Sequence, residues 1–220
     1  MKLIYAFLHL LFPPKCILCG AILEAGQADL CPTCRAEGPE CSQTRTKFPF
    51  LDSWTAIWHY EGMVRKSIHR FKFRGRRLYA KSYGKILAGK LSQQHPEGFD
   101  ILTWIPTGTF RKLTRGYDQV ALLATAVGSE LGMQPQPLLK KIRNNRPQSG
   151  IRGEAQRRAN VLGAYRAIDP AAVKGKRILL LDDVITTGAT AGECARVLLT
   201  AGAEEIHFGA VARAWHKTKK

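Results

Sequence analysis

Residues 178 to 190 read Ile-Leu-Leu-Leu-Asp-Asp-Val-Ile-Thr-Thr-Gly-Ala-Thr, an apolar run followed by two carboxylates and a group of small residues. The unbroken apolar run from Ile178 to Leu181 is typical of a central strand that is buried on both faces of a parallel sheet. We expect the strand to end at the carboxylates Asp182 and Asp183. Because ligands bind at the carboxyl ends of the strands in open α/β sheets, the stretch predicts a binding site as well as a strand.

The residues after the carboxylate pair are small or carry a hydroxyl group. A loop of this kind can turn several backbone N–H groups towards an anion, and the N-terminus of the following helix also favours an anion. Carboxylates beside such a loop suit a ligand that has both a phosphate and vicinal hydroxyls, so a sugar phosphate is predicted. A Walker A loop is excluded, because its Gly-x-x-x-x-Gly-Lys-Ser/Thr pattern does not occur. The predicted loop residues are Thr186, Thr187, Gly188, Ala189 and Thr190.

The charge balance is the unusual feature of the composition. The 220 residues include 34 Lys and Arg but only 17 Asp and Glu, a net charge of +17, which favours partners such as nucleic acid, an anionic membrane or pyrophosphate. No run approaches the ~20 apolar residues that span a bilayer. Residues 1–12 resemble a signal peptide, but no small-x-small cleavage site follows them. We therefore expect a short amphipathic helix there, no stable membrane insertion and a cytoplasmic protein.

Four of the six cysteines form two Cys-x-x-Cys pairs separated by eleven residues. Four thiolates at this spacing can close a tetrahedral site for a structural zinc ion. Disulfides are the less favoured alternative, since they persist mainly in exported proteins. Cys41 could be a spare ligand or a free thiol, and Cys194 is expected in the core. The predicted zinc ligands are Cys16, Cys19, Cys31 and Cys34.

A basic segment follows the cysteines, with ten basic residues and no acidic one between Arg65 and Lys90. We expect helices at 62–71 and 77–92. Phe71 and Phe73 alternate with basic residues, an arrangement that could stack the bases and neutralise the phosphates of a single strand. The phenylalanines could equally be core residues with solvated charge between them. The residues predicted to contact nucleic acid are Lys72, Arg74, Arg76 and Arg77.

Strand and helix patterns alternate along the rest of the chain, which predicts a doubly wound parallel sheet. Strands are expected at 51–60, 99–105, 138–139, 161–166, 177–183 and 205–212, and a helix at 117–131. A long polar loop is expected at 140–160, and such loops in compact domains are usually functional lids. The predicted domains are 1–45 (N-terminal helix and zinc module), 46–97 (basic segment) and 98–220 (core domain).

The sequence resembles the ComF family (ComFC and GntX-type proteins), whose members join a four-cysteine zinc module to a type I phosphoribosyltransferase domain. Residues 178–190 resemble the signature for phosphoribosyl pyrophosphate (PRPP) in such transferases. The sequence departs from many members at Asp118, where Asn is usual, and at Thr107, where a second Pro is usual. The resemblance is carried by the two cysteine pairs and by residues 68–75, 115–119, 147–150, 157–161 and 178–190, which follow the family's order.

The resemblance implies how PRPP would be held. Asp182 and Asp183 would bind the ribose 2′ and 3′ hydroxyls, and the loop at 186–190 would wrap the 5′-phosphate. Mg²⁺ would accompany PRPP as a cofactor. Arg111 and Lys112 would face the pyrophosphate. The loop at 140–160 would close over the reaction centre, so the catalytic residues implied are Asp182, Asp183, Arg146 and Gln148.

Three functions are compatible with this resemblance. The first, which the basic segment favours, is a competence protein that binds PRPP and single-stranded DNA and acts in DNA uptake with other competence proteins. The second is an active phosphoribosyltransferase that modifies a base or another acceptor. The third is a PRPP sensor without catalysis. The acceptor is not indicated, because no segment looks like a hood for base recognition.

Overall fold

The computed structural model describes residues 13–42, 46–108, 116–143 and 153–214, without the side chain of Glu154. The elements within these ranges are short helices and strands that alternate along the chain. In order they are α1 (Pro32–Glu37), β1 (Ser53–His59), α2 (Gly62–Phe73), α3 (Tyr79–Gln94), β2 (Ile101–Trp104), α4 (Gln119–Leu131), β3 (Leu139–Lys141), α5 (Glu154–Val161), β4 (Tyr165–Ala167), α6 (Pro170–Val173), β5 (Arg177–Ile185), α7 (Ala189–Thr200) and β6 (Glu205–Arg213).

Four of the strands form a parallel sheet in the order β1-β6-β5-β2. The apolar run Ile178–Leu181 lies in β5 between two neighbouring strands and is fully buried, which confirms the predicted central strand. The predicted end at Asp183 was wrong. Strand β5 continues to Ile185, because Val184 still pairs with Ala212 of the equally long β6. The carboxylate pair therefore lies within β5, and Asp183 is two residues before the end of the strand.

The structure confirms the helices predicted at 62–71, 77–92 and 117–131, to within two residues at each end. The structureless loop predicted at 140–160 was wrong, because α5 occupies residues 154–161. Gly153 precedes this helix with φ 84°, a backbone angle that glycine adopts at little cost. The helix has no apolar stripe in its sequence, and therefore periodicity did not reveal it.

Strands β3 and β4 differ from the prediction in their pairing. They pair antiparallel with each other and form a separate two-stranded sheet, with Lys140 opposite Arg166. The strand expected at 161–166 begins only at Tyr165, because Val161 still belongs to α5. The doubly wound core is thus confirmed for the four parallel strands, whereas β3 and β4 form a sheet of their own.

The two faces of the sheet pack against different layers. Leu179 and Leu181 belong to one apolar cluster, which includes residues of α2, α3 and α4, and the alternate residues Ile178 and Leu180 belong to a second, which includes residues of α7. The first cluster also contains Cys16 and other residues of the cysteine segment. The cysteine segment and the basic segment therefore share one core with the sheet. The predicted division at 1–45, 46–97 and 98–220 stays a prediction.

Within the described ranges, no helix is both long and apolar enough to cross a bilayer. The amphipathic helix predicted at 1–12 lies outside these ranges.

Candidate functional site

The four predicted zinc ligands come together. Their Sγ atoms all lie within 4.8 Å of one another, and the Sγ atoms of Cys19 and Cys31 are 3.8 Å apart. A tetrahedral zinc ion with Zn–S bonds of about 2.3 Å needs sulfur–sulfur distances of about 3.8 Å, so the group fits zinc. All six cysteines lie in the described part of the chain and are free thiols, which argues against the disulfide alternative.

Local backbone geometry prepares the first cysteine pair for a metal. Gly20 has φ +85°, which allows a tight turn, and Ala21 N donates to Cys19 Sγ at 3.4 Å. Burial disfavours the thiolate of Cys16, but the surrounding N–H groups outweigh burial and lower the pKa of this thiol to about 7. Zinc binds the deprotonated form of a thiol, so these contacts favour metal binding near neutral pH.

Cys41 lies outside this group of four. It is 6% exposed, and burial raises the pKa of its thiol. Cys194 is fully buried in α7, as expected for a core residue. The structure thus answers the question that the sequence left open, because Cys41 is a buried free thiol and not a spare ligand.

Helix α2 holds the cysteine segment in place. Arg70 Nη2 donates to the carbonyl oxygens of Ile17 at 3.1 Å and Leu18 at 2.7 Å, two residues of the first cysteine turn. Ser67 Oγ also donates to Ile17 O. Phe71, on the same helix, is fully buried in the cluster that contains Cys16. The cysteine segment and α2 are therefore joined by hydrogen bonds and by a shared apolar cluster.

The carboxylate pair lies where α2, α4 and β5 meet. Asp183 is 5% exposed, and its Oδ1 is 2.7 Å from Lys72 Nζ of α2. Its Oδ2 accepts a hydrogen bond from Gln119 Nε2 of α4 at 3.2 Å. The backbone N–H of Asp183 donates to Asp182 Oδ1 at 2.7 Å. Both carboxylates are thus held at fixed positions near the carboxyl end of the sheet, where ligands bind in this type of fold.

The two carboxyl groups differ in their electrostatics. Burial, followed by the negative charge of Asp183, raises the pKa of Asp182 from its ordinary value of 3.8 to about 8. The positive charge of Lys72 lowers this pKa but does not offset the other causes. Asp182 therefore holds its proton more strongly than an ordinary aspartate does, while Asp183 lies against a lysine. When both groups are ionised, the pair can accept hydrogen bonds from two neighbouring hydroxyl groups.

The loop after β5 is suited to an anion. It leads into the N-terminus of α7 through Gly188, which has φ 75°. Thr187 Oγ1 is buried and has no hydrogen-bond partner among the described residues. The N-terminal N–H groups of a helix attract negative charge. The loop therefore offers hydrogen-bond donors at one place, beside the carboxylate pair.

Gly188 is needed for packing as well as for its backbone angle. A Cβ atom placed on Gly188 would lie 2.3 Å from Phe48 Cδ1, so the phenylalanine ring rests directly on this glycine. A larger residue would displace Phe48 even without a ligand. A Gly188 substitution therefore cannot separate loss of ligand binding from local disruption.

Lys72 and Phe71 do not belong to the exposed part of the basic segment. Lys72, a predicted nucleic-acid contact, lies against Asp183 instead, and Phe71 is fully buried, which favours the core position over stacking on bases. The reason is the orientation of α2, whose inner face carries both side chains. Phe73 is 58% exposed, and its ring centroid is 4.8 Å from that of His69.

The remaining predicted contacts form an exposed surface between α2 and α3. Arg74, Arg76 and Arg77 are all exposed there, close to Phe73 in the chain, and we call these four residues the basic surface. Arg77 Nη2 donates to Gly116 O at 3.2 Å. The predicted residues Arg111, Lys112, Arg146 and Gln148 lie outside the described ranges.

Sequence reasoning missed two residues of the site. Gln119 follows Asp118, whose side chain accepts from the N–H groups of Val120 and Ala121 and so caps α4. This capping pattern indicates that Gln119 lies in the first turn of a helix. To predict that Gln119 contacts β5, the sequence would also have had to reveal how α4 packs against the sheet. Phe48 carried no signal, because nothing in the sequence links it to Gly188.

Comparison with known proteins agrees with this geometry. A model of the double zinc ribbon domain matches residues 7–45, and a model of the phosphoribosyl transferase domain matches residues 123–220. The fold and the two sites thus define a phosphoribosyltransferase-like protein with an N-terminal zinc ribbon.

Several known proteins match nearly the whole chain, and their names are more specific than the class given by the domain models. The chain is 28% identical to competence protein F of Haemophilus influenzae, over 91% of this chain and 97% of the relative. It is 28% identical to competence protein ComFC of Bacillus subtilis, over 89% of this chain and 82% of the relative. It is 26% identical to the DNA utilization protein YhgH of Salmonella typhimurium, over 90% of this chain and 89% of the relative. Along about nine-tenths of its length, the chain is thus similar to proteins named competence protein F and ComFC, and it joins a double zinc ribbon to a phosphoribosyl transferase domain.

Proposed function

We propose that this protein binds PRPP, with Mg²⁺, through Asp182, Asp183 and the loop at 186–190. The observation that carries the proposal is the carboxylate pair at the end of β5, directly before the loop that opens α7. The pair would bind the ribose hydroxyls. The N-terminal N–H groups of α7 and the buried Thr187 Oγ1 would donate to the 5′-phosphate.

Replacing Asp183 by Asn tests this proposal. Asn keeps the shape of the side chain but loses the charge that strengthens a hydrogen bond to a ribose hydroxyl, a cost on the order of 1.5–3 kcal/mol. We therefore expect titration calorimetry with PRPP and Mg²⁺ to show affinity about 10- to 100-fold weaker than in the unaltered protein. Glu130→Gln is the control, because it removes one exposed negative charge at the other end of α4. Equal affinities of the unaltered protein and Asp183→Asn would contradict the proposal.

We further propose that the basic surface binds single-stranded DNA, so that the protein acts in DNA uptake. Three exposed arginines next to an exposed phenylalanine combine phosphate neutralisation with a ring on which a base can stack. This surface follows Lys72 directly in the chain, and Lys72 contacts Asp183 of the proposed PRPP site. The names of the relatives, competence protein and DNA utilization protein, support a role with DNA.

The salt dependence of DNA binding tests this second proposal. Contact with a single strand should give a log K against log salt slope near −0.7 for each phosphate neutralised. Replacing Arg74, Arg76 and Arg77 by Ala should therefore reduce the slope by about 2. The control is the triple variant Arg166→Ala, Lys174→Ala and Lys176→Ala, which removes the same charge from other exposed positions.

Equal slopes for the two triple variants would show that DNA binding depends on total charge and not on this surface. Phe73→Ala should weaken binding by about 1–3 kcal/mol while changing the slope little, because stacking releases no counterions. Release of pyrophosphate on addition of a base, without measurable affinity for single strands at low salt, would instead favour the transferase function.

A further inference from the structure

Lys72 comes from the basic segment, yet its half-buried side chain places the ammonium group against the carboxylate site. The Nζ atom is 2.7 Å from Asp183 Oδ1, and the two side chains are only 20% and 7% exposed. The other lysine ion pairs of this region are longer and more exposed: Lys85 lies 3.7 Å from Asp29, and Lys90 lies 4.0 Å from Glu40. Exposed pairs contribute little, whereas a buried pair loses much when one partner is removed.

The position of Lys72 is fixed from both sides of its helix. Arg70 ties the preceding turn to the carbonyl oxygens of Ile17 and Leu18. Tyr117 donates from its hydroxyl group to Phe71 O. The backbone on which Lys72 stands is therefore held between the cysteine segment and the residues that precede α4. A lysine side chain is flexible in solution, so this support lowers the entropy cost of keeping it at Asp183.

The charge of Lys72 also acts on the second carboxylate. Two carboxyl groups on consecutive residues in a buried place disfavour each other's ionisation. Lys72 is the positive group that opposes this effect at Asp182. Among the described residues, Tyr83 of α3, Asp118 before α4 and Cys194 of α7 also interact electrostatically with the pair, and none of these three is cationic.

We propose that Lys72 is a positioning residue of the PRPP site: it holds Asp183 in place and sets the pH range over which the carboxylate pair accepts the ribose hydroxyls. The inference rests on the proposed PRPP function. Without Lys72, Asp182 stays protonated to higher pH, and fewer molecules have a pair that can accept both hydroxyls. The loss of binding is therefore greatest at low pH and smallest at high pH.

Three variants test the inference. Lys72→Met removes the charge at similar length, Lys72→Arg keeps the charge, and Lys66→Met removes an exposed charge from the same helix. PRPP affinity with Mg²⁺ is measured between about pH 6 and pH 9. We expect Lys72→Met to bind about tenfold or more weakly at pH 7, with its pH profile displaced to higher pH. Lys72→Arg should recover most of the affinity, and Lys66→Met should match the unaltered protein.

A double-mutant cycle adds a readout that needs no ligand. Urea unfolding of Lys72→Met, Asp183→Asn and the double variant should show coupling between the two positions, whereas Lys66 and Asp183 should show none. If Lys72→Met does not fold, Lys72→Gln takes its place in both measurements. Identical pH profiles of Lys72→Met and the unaltered protein would overturn this inference alone. Absence of PRPP binding by the unaltered protein would overturn the proposed function and the inference with it.

Discussion

Zinc-free protein is expected to lose PRPP binding as well as the folded cysteine segment. Zinc contributes about 10–16 kcal/mol to the folding of small zinc modules, so residues 13–42 should unfold without it. These residues include the carbonyl oxygens that hold Arg70, and they share an apolar cluster with Phe71. Helix α2 should then loosen, and Lys72 should leave Asp183. PRPP binding at Asp183 is thus expected to depend on a zinc ion that is held by residues far away in the sequence.

Cys16→Ser and Cys34→Ser provide the measurement, since each removes one ligand of the group. Metal analysis of the unaltered protein should give about one zinc ion per chain. In each variant the zinc content and the PRPP affinity should fall together. Cys41→Ser is the matched control, because Cys41 is also a buried cysteine but lies outside the group of four. Zinc-free protein that binds PRPP as tightly as the zinc form would contradict the expectation.

Asp182→Asn should make the protein more stable while it weakens PRPP binding. Because the pKa of Asp182 rises from 3.8 to about 8 on folding, the folded protein binds more protons than the unfolded chain between these pH values. This carboxyl group therefore lowers stability progressively as pH increases from about 4 to about 8. Asn carries no charge to desolvate and still offers an oxygen to the N–H of Asp183.

Urea unfolding at pH 5 and at pH 8.5 measures this effect. We expect Asp182→Asn to gain less stability over the unaltered protein at pH 5 than at pH 8.5, where the gain should be on the order of 1–3 kcal/mol. PRPP affinity at pH 8 should decrease about tenfold or more. Glu130→Gln, at an exposed position of α4, should change neither quantity. A variant that loses stability at pH 8.5 would show that the negative charge of Asp182 stabilises the folded protein.

Local sequence patterns predicted the parts of the molecule that depend on neighbouring residues. The apolar run at 178–181 identified β5, because a strand between two others is buried on both faces. The spacing of the cysteines identified the zinc ligands, because each pair is built by a single turn. In both cases the information lies within a few consecutive residues.

The parts that sequence could not predict depend on contacts between distant segments. Lys72 and Phe73 are neighbours in a run of alternating aromatic and basic residues, yet one faces Asp183 and the other faces solvent. Which residue points inward depends on how α2 lies against β5, and no local pattern contains that orientation. Helix α5 was missed for a different reason, since its residues are too polar to show the apolar stripe that marks a helix.

The pairing of β1 with β6 has a consequence for how the nascent chain folds. Ser53 of β1 contacts His207 of β6 across 154 residues of sequence. At about 5–20 residues per second, a ribosome needs roughly 8–30 s to make that length of chain. All four cysteines of the zinc site are synthesised before β1. Zinc binding can therefore be the first folding event of the nascent chain, whereas the pairing of β1 with β6 must be among the last. Until β6 is made, β1 with Trp54, Ile57 and Trp58 lacks its partner strand, so the N-terminal third of the protein exposes apolar residues during synthesis.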